Sequence, residues 1–117
     1  MTLLEKLIIC HFVGDWLFQN QYIADRKTKD HAIRAMHCAI YTACFCWLGF
    51  WPCVYIFVTH FVIDSYMPLY YFRKLRGDYK NLDEFKESFK TPAGFMVNVT
   101  MDQIFHILTF VPLLLLN

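Results

Sequence analysis

Residues 38–63 read CAIYTACFCWLGFWPCVYIFVTHFVI, with no Lys, Arg, Asp or Glu in the run. Residues 104–116, IFHILTFVPLLLL, are equally free of them. Runs of this kind belong to helices that cross a bilayer, whose ~30 Å hydrocarbon layer takes ~20 residues at 1.5 Å per residue. Working outward, four segments qualify: 2–23, 31–50, 52–72 and 93–116. Asp30 offers an N-cap for the second. Trp51-Pro52 opens the third and Thr91-Pro92 the fourth, each with proline where a helix accepts it early. Glu5, Lys6, His11 and Asp15 dilute the first. The pattern predicts an all-α integral membrane four-helix bundle, one domain over 1–117. A soluble bundle with an unusually apolar exterior competes, and the two uncharged runs weigh against it.

Composition supports this reading. Of 117 residues, 57% are hydrophobic and 19% aromatic, too many for an ordinary small soluble domain. The 18% that are charged cluster outside the apolar runs. A formal net charge of +1 leaves no nucleic-acid footprint. Cys10, Cys38, Cys44, Cys46 and Cys53 all lie in apolar segments, an odd number without framework spacing, and read as packing residues. The N-terminus has no basic stretch and no small-x-small cleavage site, so no signal peptide is expected.

The cations set an orientation. Arg26, Lys27, Lys29, Arg73, Lys74, Arg76, Lys80, Lys86 and Lys90 fall in the 24–30 and 73–92 connections, with Arg34 just beyond; only Lys6 falls on the other side. The positive-inside rule makes these two basic loops cytoplasmic, with both termini outside an inner membrane. Within the longer loop, Asn81 and Glu84 resemble a capping box, and Leu82, Phe85 and Phe89 share a helical face. A short interfacial helix over 81–90 is expected, or else a solvated connector.

HFVGDW, residues 11–16, places an ionisable pair inside the first span. His11-x-x-x-Asp15 is matched by His60-x-x-x-Asp64 in span three, and span four carries the reverse order, Asp102-x-x-x-His106. A spacing of four puts each pair on one helical face. Reversal in an outward-running helix restores the same top-to-bottom arrangement. Asp15, Asp64 and Asp102 lie about 8–9 residues from the cytoplasmic ends, or ~12–14 Å. His11, His60 and His106 lie about 12–13 residues in, or ~18–20 Å, and His37 joins from span two at about 6 residues.

An ionised aspartate at mid-membrane costs roughly 2.5–3.5 kcal/mol even on a lenient scale. Three approach ~9 kcal/mol, comparable with the stability of a whole domain. An opposing cation or protonation must offset that. A single His–Asp pair reads as a buried hydrogen-bonded couple. Three pairs at one depth plus His37 form a ligand set for a divalent transition metal: Zn first, Mn or Fe as alternatives, one ion or two. Any of Asp15, Asp64 and Asp102 left unligated could act as a base. Gln19, Tyr41 and Asn98 extend the polar stripes and could orient ligands, or simply bond between helices. Gln103 is turned about 100° from Asp102. Cys44 could face the interior, and His31 is expected at the surface or as a cap.

H-x-x-x-D-W-x-x-Q at His11 to Gln19, A-x-x-K at Ala24 to Lys27, His37, T-H-x-x-I-D at Thr59 to Asp64 and D-Q-x-x-H at Asp102 to His106 run in order along nearly the entire chain. In these motifs the sequence resembles an uncharacterised family of small bacterial and phage membrane proteins, a domain of unknown function. In motif style it is also similar to predicted membrane-bound metal-dependent hydrolases. The resemblance implies a functional set of His11, Asp15, His37, His60, Asp64, Asp102 and His106.

The expectation is therefore a metal-dependent hydrolase of the inner membrane. Its site within the bilayer calls for an amphiphilic substrate, such as a phospholipid or lipid-linked phosphate, entering laterally. A metal or proton transporter, which would need a homo-oligomer, and a non-enzymatic membrane interaction module are the competing classes.

Overall fold

A computed structural model describes residues 1–17 and 20–116, and among these the chain is helical with no strand. Thr2 and Glu5 form a reciprocal capping box that opens α1, Leu3–Phe12. This helix passes into a π-helical turn, Val13–Leu17. Asn20 caps α2, Gln21–Arg26, by accepting from the Ile23 amide. Asp30 caps α3, His31–Ala43, by accepting from the Ala32 and Ile33 amides. A 3₁₀ turn, Cys46–Leu48, leads to α4, Phe50–Ile63, and α5 follows at Met67–Leu75. Then come α6, Leu82–Ser88, α7, Pro92–Leu108, capped by Thr91, and α8, Val111–Leu115. The caps expected at Asp30 and Thr91 are present.

The four unbroken spans expected from hydropathy are not what the chain forms. Among the described residues, only Pro92–Leu115, at 24 residues, is long and apolar enough to cross a membrane as one helix. The pair α4 and α5 qualifies jointly but is bent by 59°. Tyr66 causes the bend: its φ of 61° is left-handed, a conformation that ends a right-handed helix. Pro68 adds to the break, having no N–H to donate to the carbonyl four residues back. In the first segment the α-helical register ends at Phe12, where the π turn begins. The segment expected at 31–50 is helical as α3 only to Ala43.

Polar and charged side chains share the interior with an apolar core. His11, Asp15, Lys27, Arg34, His37, His60, Asp64, Asn98, Asp102 and His106 are buried. Ile9, Phe12, Trp16, Val58, Phe95 and Ile104 are among the many large apolar side chains left exposed. Only 22% of an 18-residue apolar stretch within the α7–α8 span is buried. A small apolar cluster of Leu7, Tyr41, Phe45, Ile56 and Phe110 closes one end of the polar interior. Leu69, Tyr70 and Phe85 form another, with the α6 residue Phe85 packed against α5 while Leu82 on the same helix stays exposed. Lys80 donates its amide to Glu84 Oε2, while Asn81 accepts from the Glu84 amide.

Candidate metal centre

The π turn, α3 and the end of α4 bring four side chains to one point. Asp15 lies on the π turn, where i→i+5 bonding widens the helix; such bulges recur at functional sites. His37 lies mid-way along α3, His60 one turn before the end of α4, and Asp64 at the α4 C-cap, just ahead of the bend. His37 Nε2 is 3.0 Å from Asp15 Oδ1, 3.1 Å from Asp64 Oδ2 and 3.0 Å from His60 Nε2. His60 Nε2 is 3.0 Å from Asp64 Oδ2 and 3.6 Å from Asp15 Oδ1. All four residues are at most 3% exposed. These are groups that could hold a metal ion.

The separations fit a tetrahedral shell: ~2.0–2.1 Å bonds to nitrogen and oxygen give edges of about 3.3–3.4 Å. The donor chemistry fits as well. Two imidazole nitrogens 3.0 Å apart need either a proton or a cation between them. Asp64 Oδ2 is fully buried and has His60 Nε2 at 3.0 Å, His37 Nε2 at 3.1 Å and Lys27 Nζ at 3.4 Å around it, so a buried carboxylate oxygen here needs donated protons or a cation.

A second group, Asp64, Asp102 and His106, adjoins the first through Asp64. His106 Nε2 is 3.1 Å from Asp64 Oδ1, and its Nδ1 donates to the Asp102 carbonyl at 2.7 Å. Asp102 Oδ2 is 3.6 Å from the same Nδ1, and Asp102 Oδ1 is buried without a partner. The expected histidine and aspartate tiers are thus merged into one cluster.

His11 is adjacent but engaged elsewhere. Its Nε2 donates to Gln103 Oε1 at 2.7 Å, and its Nδ1 accepts from the Tyr41 hydroxyl at 2.8 Å. Both nitrogens are taken, and His11 enters neither group. Tyr41 also stacks on His60, 3.6 Å between centroids and 9° between planes, fixing that imidazole's plane. Asn98 is not beside the cluster in its bonding: it accepts from Arg73 at 2.6 Å and donates to Ser88 Oγ at 2.7 Å, joining α5, α6 and α7. Gln19 lies outside the described residues. His31 is exposed and contacts Arg34. Cys44 bonds its own helix at Ile40, and all five cysteines are free thiols.

Two members escaped the sequence reading. Lys27, 7% exposed, places Nζ 3.5 Å from Asp15 Oδ1 and 3.4 Å from Asp64 Oδ2. Burial alone would lower its pKa, but Asp64 and Asp15 outweigh that and hold the ammonium above its ordinary value. Gln103 donates toward Asp15 Oδ2 at 3.5 Å besides holding His11. The A-x-x-K motif was the available signal for Lys27, and D-Q-x-x-H the signal for Gln103.

A protein family described as a protein of unknown function (DUF3307) matches residues 3–116. The chain belongs to this family. No curated protein and no solved structure matches it.

Gly14 of this DUF3307 chain lets the π turn approach α3. A Cβ there would stand 2.9 Å from Tyr41 Cδ2 and 3.2 Å from Tyr41 Cα. Gly14→Ala is expected to destabilise the fold by about 1–3 kcal/mol through overpacking, read as a lowered unfolding midpoint in detergent. Because Tyr41 holds both His11 and His60, any metal that the cluster takes up should be held more weakly in this variant than in wild type. An unchanged midpoint and affinity would show that the close approach is not required.

Proposed function

We propose that this protein is a membrane-embedded, metal-dependent hydrolase acting on an amphiphilic substrate. The observation that carries the reading is the convergence of Asp15, His37, His60 and Asp64 on one point at tetrahedral spacing. Charge balance favours a single dication. Asp15, Asp64 and Asp102 are the carboxylates buried in the cluster and Lys27 the ammonium that faces them, so one divalent ion neutralises the set, as a low-dielectric interior demands. Imidazole with carboxylate suits Zn²⁺ first, with Mn²⁺ or Fe²⁺ as alternatives.

The many exposed large apolar side chains around buried charges support a bilayer as the surrounding solvent, with the chain in the inner membrane and its two basic connections cytoplasmic. The helices too short to span alone would share that depth by packing on α7 and on the bent α4–α5 pair, their irregular backbone enclosed by protein.

A dication held here would acidify water toward neutral pH and draw charge from the scissile group. The chain's own residues supply the rest. Asp102, with a free buried oxygen beside His106, is placed to take the proton of the attacking water. Tyr41 keeps the His60 ring in plane and hydrogen-bonds His11 Nδ1. A second reading has one observation in its favour: Lys27 already opposes Asp15 and Asp64, as it would in a metal-free structural network.

Assaying detergent-purified protein against short-chain amphiphilic esters and phosphoesters, with Zn²⁺, Mn²⁺ or Fe²⁺ and then with chelator, separates the readings. Metal-dependent product release, lost in His60→Ala, is expected. Protein that is metal-free as purified, unfolds at the same temperature with or without added metal and releases no product would establish the structural network instead.

A further inference from the structure

Asp15, Lys27 and Asp102 are reached from outside through a cleft of about 270 Å³. Besides those three, its lining is polar at Gln21, Asp25, Tyr66 and Gln103, with the Asp25 carboxylate accepting from Gln21 at 2.7 Å, and apolar at Trp16 and Phe95. Trp16 and Phe95 are 59% and 50% exposed, so the cleft runs from an apolar exterior to the carboxylates within one short path. Tyr66 sits in this lining in its left-handed conformation, a strain that proteins retain mainly at working sites.

Lys27 decides what the cleft receives. It is the one lysine or arginine in salt-bridge range of the cluster's carboxylates among the described residues. A dication engaging Asp15 and Asp64 would take over most of the charge that now faces Lys27, leaving the ammonium able to donate to a ligand in the cleft. A neutral head group offers it only weak acceptors. A phosphate group offers charged oxygens, for which lysine serves as a point charge, and Gln103 and Tyr66 line the same cleft with N–H and O–H groups.

We propose that Lys27, with Tyr66 and Gln103, forms a subsite for the phosphate group of an amphiphilic phosphoester whose apolar chain leaves past Trp16 and Phe95. The inference rests on the metal-dependent reading and names the substrate class for that site. Lys27 is a substrate-binding residue in this account and not a metal ligand.

The test is binding to metal-loaded, detergent-solubilised protein, measured by calorimetry with dihexanoyl phosphatidic acid, dihexanoylglycerol and inorganic phosphate, beside metal content from the same preparation. Phosphatidic acid is expected to bind at least about tenfold more tightly than the uncharged diacylglycerol. It should also exceed inorganic phosphate, because only the amphiphile uses the apolar side. Lys27→Gln should lose the preference for phosphate while holding its metal, and Lys27→Arg should keep most of it. If Lys27→Gln does not fold, the wild-type ligand series and Lys27→Arg still decide. Equal binding of phosphatidic acid and diacylglycerol by wild type would overturn the subsite. So would an undiminished preference in Lys27→Gln, or inorganic phosphate binding as tightly as the lipid. A wild type that takes up no metal would instead overturn the hydrolase reading itself.

Discussion

Asp64→Asn is expected to lower divalent-metal affinity by at least about a hundredfold, beyond the tenfold to hundredfold typical of losing a group that only orients a ligand. Asp64 is wholly buried, and both its oxygens are committed. Oδ2 faces His37 at 3.1 Å, His60 at 3.0 Å and Lys27 at 3.4 Å; Oδ1 faces His106 at 3.1 Å. The amide has nearly the same shape, so packing survives. It carries no negative charge, and its nitrogen offers hydrogens where a cation needs a lone pair. With the dication present, the cluster would then be left with an excess positive charge in a low-dielectric interior. Competition titration with a metal-responsive dye reads the affinity, and circular dichroism confirms the helical content. Retention of wild-type affinity by folded Asp64→Asn would remove Asp64 from the ligand set.

The second large effect separates ligand from base. Asp102→Asn is expected to reduce turnover by about 10²–10⁴-fold, the usual contribution of a positioned proton acceptor, while one metal per chain is kept. The reason is its place in the cluster. Asp102 contacts His106 rather than His37 or His60, and its Oδ1 is buried without a partner. A carboxylate closing the coordination shell would carry metal away with it when replaced. One acting on the proton would not. Metal loss equal to that of Asp64→Asn would make Asp102 a ligand and leave the proton acceptor to be sought elsewhere.

Some of this was legible in the sequence, for physical reasons. Asp30 and Thr91-Pro92 marked helix starts because capping is local chemistry, settled within three or four residues. The four-residue His–Asp spacings marked the interior because ionisable groups in apolar runs must find one another. The failures were failures of straight-helix geometry. A left-handed Tyr66 bends the third segment, and a π turn at Val13–Leu17 alters the relation of Asp15 to His11, so the two point to different partners. His11 therefore meets Gln103 and Tyr41 while Asp15 meets His37.

Lys27 was hidden for a different reason. Assigned to a basic loop, it counted only as an orienting charge, yet its long stem carries the ammonium inward to Asp15 and Asp64. Gln103 was set aside for pointing about 100° from Asp102. A helix inside a bundle has more than one neighbour, and that direction faces α1. Asn98 followed the polar stripe correctly but is claimed by Arg73 and Ser88, since it lies nearer the α6 end of α7.

X-ray absorption at the metal edge, on wild-type protein loaded with Zn²⁺ and of known metal content, decides whether Asp15, His37, His60 and Asp64 form one coordination shell. One ion per chain is expected, with nitrogen and oxygen neighbours at ~2.0–2.1 Å and the outer-shell scattering of two imidazoles. Scattering from sulfur at ~2.3 Å, or a shell of oxygen alone, would contradict it.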